Sequence, residues 1–128
     1  MSFGSPVVVV ATASPYEQLL VERALEKTGR ILCSVKDAAA AELVCAECGG
    51  APILVIDAGL LESHRTAEWR ELRGRHPELA VVVRSLVSRN EIQQADHNTL
   101  LVHPSNGDGL CEALDLLDSY GVAESRAS

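Results

Sequence analysis

The stretch APILVIDAGLLES, residues 51–63, decides the fold. Its apolar run, Ile53 to Ile56, shows no alternation and ends on one carboxylate, Asp57, with Gly59 as a turn residue just beyond. A continuous apolar run of this length is what a strand covered on both faces needs, because neither side of its pleat meets water. An acid closing such a run needs a reason to be there.

Four similar runs lie to either side: PVVVVA (6–11), ILCSV (31–35), LAVVVRS (79–85) and TLLVH (99–103). Helical patterns separate them. Residues 15–28 start with Ser14 as a cap and Pro15 at the first position, carry Leu20, Val21, Ala24, Leu25 and Thr28 on one broad arc, and stop at Gly29. Further helices are expected at 37–48, at 63–76 before Pro77, at 89–97, short and weakly apolar, and at 106–119. The last places Leu110, Ala113, Leu114 and Leu117 on one face. Strand and helix thus alternate five times over short connections. Right-handed crossovers between parallel strands then give an α/β domain, an open five-stranded parallel sheet with helices on both faces.

A chain of 128 residues, 47% of them hydrophobic, can bury a core without disulfide or metal staples, so one domain is expected over residues 1–120, with 121–128 as a flexible tail. A formal charge of −7 argues against a nucleic-acid surface, since phosphate binding needs a basic patch. Arg65, Arg70, Arg73 and Arg75 are interleaved with Glu62, Glu68 and Glu71, the pattern of a solvated helix face with mixed-sign pairs. No apolar run is long enough to span a membrane and the N-terminus lacks a signal-peptide pattern, so the expected location is the cytoplasm. Cys45 and Cys48 form a C-x-x-C, but at the end of a helix rather than its start, where the dipole would lower a thiol pKa. With Ala38, Ala41 and Val44 they share a core-facing stripe, so packed thiols are expected there. His64, His76 and His97 show no metal-ligand spacing with the cysteines, and Trp69, Leu72 and His76 fall on one packing stripe.

Five alternating units with Asp57 closing the third strand resemble the receiver domain of two-component response regulators, over residues 6–119. The resemblance implies the flavodoxin-like fold with strand order 2-1-3-4-5, which brings the ends of strands one and three to the topological switch point. It makes Asp57 the equivalent of the aspartate that accepts a phosphoryl group from a histidine kinase. Receivers support that transfer with Mg²⁺ held by two acids after strand one, a hydroxyl after strand four and a lysine after strand five. Here the acids' places fall on Ala11, Thr12 or Ala13, with Thr12 and Ala13 as the pocket equivalents, and none carries a carboxylate. Ser85 matches the hydroxyl, His103 stands in place of the lysine before Pro104, and Leu100 replaces the family's switch aromatic. Losing one such group typically costs ~10²–10³ in rate, and here the metal ligands and the lysine are missing together.

The resemblance therefore implies a degenerate or pseudo-receiver: no enzyme, no cofactor and no metal, acting as a protein-interaction module. Asp57 would then be a relict acid bonded to nearby amides or Ser85, or paired with His103. The alternative is a slow but genuine phosphoacceptor at Asp57, which would use Mg²⁺. A small flavodoxin-like enzyme or nucleotide binder is disfavoured because the ATASPY loop has no phosphate-cradling glycine. The expected partner surface, for a protein or a second copy, is the face of the fourth helix, fifth strand and fifth helix, where Leu116 and Tyr120 flank the buried arc beside a partly open sheet edge.

Overall fold

The computed structural model describes residues 7–12, 14–47, 52–62, 66–77, 79–86, 92–96, 98–104 and 107–127, without the side chains of 62, 66, 96 and 118–127. The strands are β1 (Val8–Ala11), β2 (Leu32–Ser34), β3 (Ile53–Asp57), β4 (Ala80–Arg84), β5 (Gln93–Asp96) and β6 (Thr99–Val102). The helices are α1 (Pro15–Leu25, extended by a tighter turn at Glu26–Thr28), α2 (Ala38–Glu47), α3 (Ala58–Glu62), α4 (Thr66–Arg75) and α5 (Gly107–Ala127). The sheet order is β2-β1-β3-β4-β6-β5. Five of the strands pair in parallel and reproduce the expected order; β5 is added outside them, antiparallel to β6.

Local chemistry sets the helix ends. Ser14 is extended, and its Oγ accepts the Glu17 N–H at 3.2 Å, satisfying one of the first-turn donors that no preceding turn can reach. Gly29 takes φ +72°, a left-handed turn that a side chain would strain, and releases the chain into β2. Asp37 caps α2 through the Ala40 N–H at 2.8 Å.

Every residue of β3 is buried, as its unbroken apolar run demands. Alternation along the strands sends their side chains into two cores. Val8, Val10, Ile53, Val55, Val82, Leu100 and Val102 pack under α1 and α5, meeting Val21, Leu25, Leu110, Ala113, Leu114 and Leu117. Val9, Ala11, Leu54, Ile56, Val81 and Val83 pack under α2 and α4, meeting Ala38, Ala41, Trp69 and Leu72. The α2 stripe packs as the sequence suggests: Val44 and Cys45 lie against the second core. Cys33, Cys45 and Cys111 are half-buried, and Cys48 lies outside the described residues.

Two expectations need correction. The fourth helix, placed at 89–97, is an edge strand in its described part: Gln93 and Gln94 pair with Leu101 and Leu100, with an irregularity before Asp96. The segment has no apolar arc to bury as a helix, whereas a strand gains from β6's hydrogen bonds and needs only Ile92 against the core. The edge expected to be partly open, along β6, is therefore covered by β5. The helix expected at 63–76 is present as α4 in its described part, and α3, which starts directly after Asp57, is an additional short helix not expected from the sequence. The last helix, α5, is assigned from Gly107 to Ala127.

Candidate functional site

The site forms where β3 and β4 end. Asp57 and Arg84 are register partners across the two parallel strands, so both side chains leave the same face of the sheet. Asp57 continues the Ile53 and Val55 series and Arg84 continues the Val82 series, which turns both towards the α1 and α5 side. Arg84 Nη1 donates to Asp57 Oδ1 at 2.5 Å. Its Nη2 donates to Glu17 Oε2 at 2.7 Å and reaches the Pro104 carbonyl at 3.4 Å. One guanidinium thus ties β3 to the first turn of α1 and to the turn after β6.

Burial decides the energetics. Arg84 is 4% exposed and Asp57 8%, so neither charge is well hydrated and the ion pair between them offsets part of that cost. The Glu17 side chain, on the first turn of α1 where the helix dipole favours an acid, keeps 33% of its surface. Two carboxylates share one cation, a charge-assisted arrangement that suits the planar fork of arginine better than the point charge of lysine.

The residues expected in the pocket divide. Asp57 and Ser85 are both buried at the strand ends, and the Ser85 N–H donates to the Val102 carbonyl at 2.9 Å. Thr12 Oγ1 donates to the Ser14 carbonyl at 3.1 Å and so shapes the β1–α1 turn. Ala13 lies outside the described residues. His103 is half-buried beside Arg84 in the lining of one cleft. Leu100, at the switch-aromatic position, is 2% exposed and locked in the first core. On the expected interaction face Leu116 is half-buried against that core, while the side chain of Tyr120 lies outside the described residues. The large apolar side chains most exposed among the described residues include Tyr16, Leu19 and Leu20 on α1.

Arg84 and Glu17 were missed from sequence. Arg84 lies within the run LAVVVRS and Glu17 in the first turn of the helix from 15, and neither was singled out. The available signal was a cation closing one fully apolar strand while an acid closed another, with the two runs of equal length.

Mg²⁺ does not fit this arrangement. Positions 11 and 12, at and after the end of β1, carry no carboxylate, and the two carboxylates at the site, Asp57 and Glu17, both already hold the Arg84 guanidinium, at 2.5 and 2.7 Å. A divalent cation there would face Arg84 and lack the oxygen ligands that offset its dehydration.

No protein-family model matches the chain, and no curated protein matches it either. Solved structures do. A sensor protein from Polaromonas sp. JS666 is 26% identical, with a TM-score of 0.66 over 90% of this chain and 98% of that one. The non-phosphorylated receiver domain of the stress response regulator RcsB from Escherichia coli is 15% identical, with a TM-score of 0.65 over 91% of this chain and 95% of that one. The N-terminal domain of a response regulator/sensory box/GGDEF 3-domain protein from Carboxydothermus hydrogenoformans is 15% identical, with a TM-score of 0.65 over 95% of this chain and 99% of that one. The fold is the flavodoxin-like fold of receiver domains, with β5 as an extra edge strand.

Proposed function

We propose that this chain is an atypical receiver domain that serves signal transduction in the cytoplasm as a protein-interaction module, without phosphorylation and without catalysis of its own. One observation carries the reading: the Asp57 carboxylate is buried and held by Arg84 at 2.5 Å. To attack a phosphoryl donor, Asp57 would have to leave that pair, and the group met by the incoming phosphate would be a guanidinium already shared with Glu17. A receiver without a covalent switch takes its regulation from a partner that binds one arrangement better than another. The partner, a protein or a second copy of this chain, docks in this reading on the face of β6 and α5 around positions 116 and 120, with β5 extending the same side of the sheet.

The decisive experiment is incubation with acetyl phosphate and Mg²⁺, followed by intact mass. The expected result is no phosphoryl adduct on the wild-type chain. An adduct lost in Asp57→Ala would establish the alternative, a slow phosphoacceptor. A variant with Thr12→Asp, Ala13→Asp and His103→Lys should stay unmodified while Arg84 is present and gain an adduct only once Arg84→Ala is added.

A further inference from the structure

Between α1 and the start of α5 lies a cleft of about 340 Å³ whose lining includes Leu20, Val21, Ala24, Leu110 and, at the sheet, Arg84. Its size falls at the lower end of small-molecule sites, and its composition, mostly apolar with few polar groups, is that of such sites. The helices approach closely beside it: a Cβ on Gly107 would lie 3.3 Å from the Ala24 Cβ, so glycine there sets the spacing of the cleft walls. Leu20, 38% exposed although the sequence placed it on the buried arc, stands where the cleft meets solvent.

We propose that this cleft binds a small amphiphilic carboxylate, its short acyl chain against α1 and α5 and its head group on Arg84 in exchange for Glu17. The inference goes beyond the signalling role and does not depend on it. Arg84 is a fully formed carboxylate receptor, 4% exposed and planar, already bonded to two carboxylates. Its two partners are not equally committed. Asp57 is held on β3 at 8% exposure, whereas Glu17 is a helix side chain with 33% of its surface in water and returns to solvent by a rotamer change. Replacing one carboxylate by another keeps the charge balance around the guanidinium, so the exchange buries no extra net charge. The apolar chain supplies the driving force that Glu17 lacks, because it leaves water for the walls formed by Leu20, Val21, Ala24 and Leu110. A neutral ligand of the same shape gains only that second part.

Octanoate titrated into the full chain, followed by amide NMR, tests this directly, with octanol as the uncharged probe of the same length. Octanoate should give saturable shifts at the α1 and α5 amides, and octanol should bind more weakly. Glu17→Gln removes the competing carboxylate and should tighten octanoate about fivefold, the factor equivalent to ~1 kcal/mol for a partly exposed ion pair. Ala24→Leu should fill the cleft and abolish binding while the amide spectrum stays that of a folded protein; it serves where Arg84→Met fails to fold. No saturable binding, octanol binding as tightly as octanoate, Glu17→Gln leaving the affinity unchanged or weaker, or Ala24→Leu still binding would each overturn the proposal.

Discussion

Replacing Arg84 by methionine tests the energetic centre of this molecule, because it removes the charge while keeping an unbranched apolar stem between β3, β4 and α1. Asp57 would be left at 8% exposure without the guanidinium that now meets it at 2.5 Å. Glu17, at 33%, would turn to water at little cost. Nearly all of the penalty therefore falls on Asp57, and breaking a buried pair from one side costs about 3–5 kcal/mol. Against a total stability of ~5–15 kcal/mol, that is a loss on the order of 10–20 °C in melting midpoint for a chain of this size. Adding Asp57→Asn to Arg84→Met removes the buried negative charge and should recover at least about 1.5 kcal/mol, so the two substitutions should be strongly non-additive. Urea unfolding of the wild type, both single variants and the double variant completes the cycle. An Arg84→Met variant within ~1 kcal/mol of wild type, or single costs that simply add, would refute the view that these two side chains form one buried unit.

Ser14→Ala should cost about 1 kcal/mol, since Ser14 Oγ satisfies the Glu17 N–H at 3.2 Å; chemical denaturation reads it, and a neutral result would mean that Thr12 or water caps α1 equally well. On the opposite side of the sheet the Arg75 guanidinium, donating to Glu42 at 2.5 Å, holds the Glu42 carboxyl below its usual range, with His76 3.5 Å from the same carboxylate. A carboxyl lowered in the folded state adds stability above its unfolded pKa and loses it as pH falls through the folded one. Arg75→Gln should therefore be less stable than wild type at neutral pH, and the gap should close in unfolding curves taken at progressively acid pH; a gap that stays constant would contradict the pairing. Leu116→Glu together with Tyr120→Glu should weaken self-association or partner capture in sedimentation and pull-down experiments while unfolding stays cooperative, and unchanged association would move the interaction face elsewhere, with Tyr16, Leu19 and Leu20 on α1 as the next surface to vary.

The five parallel strands are legible in the chain. Runs such as Val8 to Ala11, Ile53 to Ile56 and Val81 to Val83 are apolar at every position, and only a strand covered on both faces can use them. The sequence also placed the ends of α1, because Ser14, Pro15 and Gly29 act through bonds and dihedrals within a few residues of themselves. Likewise it put Asp57 at the end of β3, where the acid of a receiver would stand. Which side chain meets that acid depends on packing. Asp57 and Arg84 are 27 residues apart, and their contact follows from the register of β3 on β4, which composition and periodicity do not contain. The added strand β5 is of the same kind. Residues 93–96 have no strong preference of their own, and the hydrogen-bonding edge of β6 settles them as a strand once the sheet exists to offer it. Leu20 completes the pattern: it sits at helical spacing with the core residues Val21 and Leu25, but where α5 begins relative to α1 determines that its side chain borders a cleft instead of filling one. Local interactions are fixed by neighbours in the chain and can be read there, while charge pairing, edge pairing and clefts depend on distances that exist only after the elements have packed.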